Sequence, residues 1–227
     1  MNQEEYKTRF RSFVLDECRP FYESVKPWYV QESGQPDSLL YFDQQFPRIW
    51  AIIEMLKDRV APGSRLCELG SFYPYVMLYF GGTVNLYDLV PRIIPGVNPY
   101  ESGGVRLVPF NLCSDEFPRG TEYDAVTLSE VMEHLPCDLI EVQRKTQSIL
   151  SPKGLLLVSY PCQYQNDAHD YDKVIGDPSD VHGRHLREFT PRTVDLFFRG
   201  LTVLEKREVF YPAYGRTILV LYKNEQL

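Results

Sequence analysis

"SRLCELGSFYPYVMLYF", residues 64–80, decides the fold. Its apolar run ends at Glu68-Leu69 and breaks at Gly70, as a strand does when it meets a tight turn at the carboxyl edge of a parallel sheet. A dinucleotide site at this place needs several glycines, because backbone amides must crowd a pyrophosphate at a helix start. Here a single glycine is followed by Ser71-Phe72-Tyr73-Pro74-Tyr75. Such a loop argues against a nicotinamide dinucleotide.

Downstream the texture is that of βα units. "RLCEL", "TVNLYDL", "VRLVPF", "YDAVTLS" and "GLLLVSYP" are short strand-like runs parted by loops or helical stretches, the signature of a mostly parallel sheet. "CDLIEVQRKTQSIL" is amphipathic at helical spacing and stops at "SPKG". "TPRTVDLFFRG" carries a capping Thr190 with Pro191 at the first helical position. The last two runs, "LTVLEKREVF" and "RTILVLYK", are separated only by "YPAYG". That is too short for a crossover helix, so they pair as an antiparallel hairpin. Upstream, residues 4–26 and "FDQQFPRIWAIIEMLKDRV" have helical periodicity, with a loop over 26–38 between them. The chain thus divides into a helical N-terminal cap, residues 1–58, and an α/β domain, residues 59–227.

The net charge of −7 repels a phosphate backbone and disfavours nucleic acid as a partner. No apolar run approaches the ~18 residues of a membrane span. The charged opening "MNQEEYKTRFRSF" is unlike a signal peptide. These features predict a soluble, cytoplasmic protein with no membrane partner. Cys18, Cys67, Cys113, Cys137 and Cys162 are scattered, with no C-x-x-C pair, and read as free thiols in a reducing compartment. The 16 Tyr and 13 Phe either line a pocket or pack lids and domain edges. Nothing in the sequence fixes an oligomeric state.

In an open α/β sheet, ligands bind beyond the carboxyl ends of the strands. Those positions are Glu68, Gly70 and Ser71, then Asp88, then Asn111 and Leu112, then Ser129 and Glu130, then Tyr160 and Pro161. The pieces "LCELGS", "YDL", "FNLCSDEFP", "YDAVTLSEVMEHL", "LSPKGLLLVSYP" and "HLREFTPRTV" stand in an order and spacing that resemble the class I S-adenosylmethionine-dependent methyltransferases. The likeness is to the broad small-molecule group (type 11/12-like) and covers about residues 60–223. It implies a Rossmann-like three-layer α/β sandwich. The sheet would be seven-stranded and mostly parallel, in the order 3-2-1-4-5-7-6, with the last strand antiparallel.

The resemblance also assigns roles. Glu68 would approach the amino-acid end of S-adenosylmethionine, and Gly70, with Ser71 beside it, would let the backbone pass close by. Asp88 would accept hydrogen bonds from the ribose diol. Asn111 and Leu112 would border the adenine, while Ser129 and Glu130 would lie under the methionine portion. Because this cofactor has no phosphate, one glycine suffices for the turn; Phe72 or Tyr73 could then narrow the cleft or stack near the sulfonium.

Methyl transfer is an in-line displacement in which the protein mainly positions the acceptor. A hydroxyl acceptor also benefits from a base. His134 in "EVMEHL" and His185 in "HLREFT" are the candidates that the resemblance reaches; His169 and His182 lie in the insertion before it. The Asn/Asp-Pro-Pro-aromatic signature of enzymes that methylate base amines is replaced here by Ser129-Glu130-Val131-Met132. The expected activity is therefore methylation of a small polar acceptor, O- before N-methylation, with a sugar or glycan precursor as one such acceptor. A methyltransferase-fold binding protein without turnover is the alternative. The Asp- and His-containing stretch 169–185 matches no familiar metal-ligand spacing.

Overall fold

The structure, a computed structural model, describes residues 1–19, 22–23, 38–71, 73–88, 104–162, 173–174, 186–211 and 215–225. Four α-helices are described: α1 (Gln3–Ser12), α2 (Ser38–Leu56), α3 (Leu139–Ser148) and α4 (Pro191–Phe197). The strands are β1 (Arg65–Leu69), β2 (Thr83–Asp88), β3 (Val105–Pro109), β4 (Tyr123–Ser129), β5 (Leu150–Pro161), β6 (Lys173–Val174), β7 (Arg187–Glu188), β8 (Thr202–Tyr211) and β9 (Gly215–Lys223). Seven of them form one sheet in the order β3-β2-β1-β4-β5-β9-β8. The first five pair in parallel, whereas β9 runs antiparallel to both β5 and β8. The architecture is the Rossmann-like sandwich that the resemblance implies, with the mostly parallel sheet and closing hairpin that the alternating runs predict.

Alternation along the strands sends side chains to two separate cores. Leu66, Val84, Leu86, Leu155, Leu157, Leu219 and Leu221 face the layer made by α1 and α2. Cys67, Leu69, Val126, Leu128, Leu156, Val158 and Val220 face the opposite layer, where Leu139 and Val142 of α3 and Val194 of α4 cover them. The first layer is rich in aromatic rings. Phe10 stacks on Phe42 with centroids 4.0 Å apart and on Tyr75 at 5.3 Å. The Tyr6 hydroxyl donates to the Tyr75 carbonyl at 2.7 Å. Much of the aromatic content thus glues the N-terminal helices to the sheet, each ring contributing about 1.5–3 kcal/mol through burial.

Two local features depart from the sequence reading. "SPKG" does not simply end α3: β5 already begins at Leu150, and the segment forms an irregularity within the strand, where its pairing with β4 jumps from Tyr123–Leu150 to Ala125–Leu155. Lys153 adopts a positive φ of 66° there. The cysteines are also not all free. Cys113 and Cys137, both half-buried, form a disulfide with Cα atoms 5.5 Å apart, while Cys18, Cys67 and Cys162 remain buried thiols. No helix among the described residues is long and apolar enough to cross a membrane.

Candidate functional site

The carboxyl ends of the parallel strands carry the site, and β1 sets its first wall. Gly70 takes φ +67°, a conformation that favours glycine, and its amide donates to the Tyr87 carbonyl at 2.7 Å. A Cβ on Gly70 would lie 2.4 Å from Cγ2 of Val131, so the loops after β1 and β4 touch at this residue. Glu68 points into the loop that follows it. Its Oε1 accepts from the amides of Val76 at 2.9 Å and Met77 at 2.6 Å. Burial pushes the Glu68 carboxyl up to about 7, against the lowering effect of the Met77 and Val76 amides. The carboxyl therefore fixes the shape of the loop. Ser71 does the same on a smaller scale, its hydroxyl donating to the Tyr73 carbonyl. Tyr73 itself is fully buried, its ring against Phe10 of α1 and Tyr75, and does not narrow the cleft; Phe72 lies outside the described residues.

Asp88 closes β2. Its backbone carbonyl accepts from Phe110 N at 2.9 Å, and its carboxyl has no hydrogen-bond partner among the described residues. Burial alone pushes that carboxyl up to about 7. Beyond β3, the Asn111 side chain is occupied with its own turn: Oδ1 accepts from Cys113 N at 2.9 Å. Leu112 is buried, and the Lys145 ammonium on α3 donates to its carbonyl at 3.2 Å and to that of Cys113 at 3.3 Å. The Cys113–Cys137 bond then ties this loop to the one after β4.

The end of β4 is the most polar part. Ser129 and Ser159 share a hydroxyl–hydroxyl hydrogen bond of 2.8 Å, and Ser159 donates to Glu130 Oε1 at 2.9 Å. Glu130, not a glycine, sits at φ +54°, a costly conformation of the kind that clusters at functional sites. Its Oε1 also lies 3.4 Å from Nη1 of Arg48, a buried arginine on α2. Glu133, wholly buried in the turn after β4, has no hydrogen-bond partner on either carboxyl oxygen among the described residues. Burial raises it to about 8, although Arg48 pulls the other way. His134, about one-third exposed, places Nε2 at 3.8 Å from Glu133 Oε1. His185, His169 and His182 lie outside the described residues.

The structure brings Glu68, Gly70, Ser71, Asp88, Asn111, Leu112, Ser129, Glu130 and His134 to one edge of the sheet. It adds Arg48 and Glu133 to them. Their signal was present in outline: Arg48 falls among the buried positions Gln45, Ile49 and Ile52 of α2, where a charge needs a partner.

The described edge of this Rossmann-like sheet thus carries one glycine after β1, an acid closing β2 and a carboxylate cluster after β4. A methyltransferase-domain family profile matches residues 45–205, and the chain belongs to that family. The fold is similar to that of the N-methyltransferase NodS from Bradyrhizobium japonicum WM9, with 14% identity over 82% of this chain and 97% of that one and a TM-score of 0.57. It is also similar to the 1,6-didemethyltoxoflavin-N1-methyltransferase of Burkholderia thailandensis, with 16% identity over 100% of this chain and 92% of that one and a TM-score of 0.65. No curated protein matches the sequence. The protein is a methyltransferase by family. At this edge the space a Cβ would need at Gly70 is already filled by Val131, and the buried Asp88 carboxyl has no hydrogen-bond partner among the described residues.

Proposed function

We propose that this methyltransferase methylates a hydroxyl group on a small polar acceptor, of the sugar or glycan-precursor class. The observation that carries this reading is His134, partly exposed on the turn after β4 and backed by the buried carboxyl of Glu133. S-adenosylmethionine supplies a methyl group already activated on a sulfonium. The chain's own task is to hold the acceptor oxygen in line and to take its proton. His134 accepts that proton, with Glu133 Oε1 lying 3.8 Å from its Nε2. His185 is a second candidate base. Asp88 holds the ribose, Asn111 and Leu112 border the adenine, and Ser129 and Glu130 flank the methionine portion. The segment 1–58 acts as the cap over this edge. The net charge of −7 favours an uncharged or cationic small acceptor over nucleic acid, and no membrane association is proposed. We also propose a cytoplasmic location, where thiol reductants act on the Cys113–Cys137 bond.

The test is a panel of hydroxylated and amine acceptors, incubated with S-adenosylmethionine and followed by release of S-adenosylhomocysteine. Mass spectrometry of the product locates the methyl group. O-methylated product that is lost in His134→Ala, with affinity for S-adenosylhomocysteine retained, supports the reading. Methylation confined to amines, the chemistry named for both structural neighbours, overturns the hydroxyl acceptor, and full activity of His134→Ala ends its role as base.

A further inference from the structure

Arg48 is an unusual group to find inside an apolar helix. Its side chain is 5% exposed, yet its contacts among described residues are few: Nη2 lies 3.4 Å from the Tyr41 hydroxyl, and Nη1 lies 3.4 Å from Glu130 Oε1. Neither Nε nor Nη1 has a hydrogen-bond partner among the described residues. Beside it sit Glu133 and Gln45, whose buried carboxyl oxygens and amide Oε1 have no hydrogen-bond partner among the described residues. A guanidinium buried with so few hydrogen bonds is destabilising unless its charge is used. The charge it meets is that of Glu130, held at φ +54° by its own strand end and by the Ser159 hydroxyl.

We infer that Arg48 is a positioning residue for methyl transfer: it reaches from the N-terminal helical layer to fix the Glu130 carboxylate, and the Arg48–Glu130 pair sets the charge facing the cofactor's sulfonium. The inference rests on the proposed placement of Glu130 beside the methionine portion. Methyl transfer discharges the sulfonium, so the potential at that spot matters to the reaction as well as to binding. Glu130 alone would hold the cationic cofactor more tightly than the neutral product. Arg48 offsets that preference and at the same time locks the carboxylate in place.

S-adenosylmethionine and S-adenosylhomocysteine differ by one methyl group and one positive charge, so the ratio of their affinities reads this potential. Calorimetric titration of the purified full chain with both ligands tests the inference. Arg48→Met should shift the ratio about three- to tenfold toward S-adenosylmethionine, the size expected for removing a unit charge several ångströms away in a partly wet site. Arg48→Lys keeps the charge and should leave the ratio near wild type. Glu130→Gln should shift it the opposite way. Should Arg48→Met fail to fold, the double variant Arg48→Met/Glu130→Gln, which buries no unpaired charge, should restore the ratio lost in Glu130→Gln. Equal weakening of both ligands in every variant, the mark of a merely structural arginine, overturns the inference. Wild-type protein that binds neither ligand would overturn the reading of the site and this inference with it.

Discussion

The two ends of the sheet treat their acids in opposite ways. At the amino end, a groove of about 650 Å³ is lined by Arg59, Ser64, Asp124, Ser151, Lys153 and Lys223. Asp124 there accepts from Arg65 N at 2.8 Å and from the Ser151 hydroxyl at 3.1 Å. Burial opposes its ionisation, but these bonds and the Arg65 charge bring it below the usual carboxylate range. At the carboxyl end, Glu68 and Asp88 are raised to about 7 and Glu133 to about 8, all by burial. At the carboxyl end Glu68 has two amide donors, whereas the buried carboxyls of Asp88 and Glu133 have no hydrogen-bond partner among the described residues, a pattern that clusters at functional sites. The proposed site accordingly lies at the carboxyl end rather than in this groove.

Glycine substitution should break the comparison most visibly. Gly63, at the amino end, has φ +80°, and a Cβ added there would meet nothing within 4 Å, whereas one added at Gly70 meets Val131. Gly63→Ala should cost about 1 kcal/mol, from backbone strain alone. Gly70→Ala adds steric overlap in a packed spot and should cost about 3 kcal/mol or more. Urea unfolding of both variants measures the difference, and equal losses would show that the loops after β1 and β4 are not locked together. Next in size, Asp88→Ala should weaken S-adenosylhomocysteine binding by about 1–3 kcal/mol, the loss expected for a charged hydrogen bond. Unchanged affinity would remove Asp88 from the ribose.

The pH dependence of stability sharpens the contrast further. Glu68, Asp88 and Glu133 have folded-state values above those of an unfolded chain, so the folded protein holds extra protons between about pH 4 and 8. Stability should fall as pH rises through that window, by at most ~1.4 kcal/mol per pH unit for each group. Glu133→Gln should flatten the decline, as urea midpoints at about pH 5 and about pH 8 would report; an unchanged slope would mean that Glu133 is ionised throughout. Asp124 works the other way, its contribution present at neutral pH and lost only as pH falls below about 4. The smallest effect belongs to Arg65→Ala, which removes a half-exposed pair with Asp124 and should cost no more than ~1 kcal/mol in the same unfolding assay.

The sheet was legible because its signal is local. Each strand is a short apolar run whose neighbours break it, and the hairpin follows from the length of "YPAYG". The start of β5 was not, because Pro152 and Gly154 look like a terminator while the chain merely bulges and continues. The edge residues after each strand were legible from topology alone. What they do there was not, since Glu68 could be a ligand contact or a loop anchor until the Val76 and Met77 amides were seen to occupy it. Tyr73 shows the same ambiguity, an aromatic beside a cleft in sequence and a core residue in space. Arg48 and Glu130 lie 82 positions apart, and no local pattern couples them.

The Cys113–Cys137 bond spans a separation of 24 residues and encloses the whole of β4, so the strand that bears Ser129 lies inside a covalent ring. While the bond is oxidised, that ring persists in the unfolded chain. It removes conformations that the open chain would have, worth about 3 kcal/mol by loop-closure entropy. The ends of the β3 and β4 loops thus begin folding as neighbours, and the most polar part of the site starts from the smallest search.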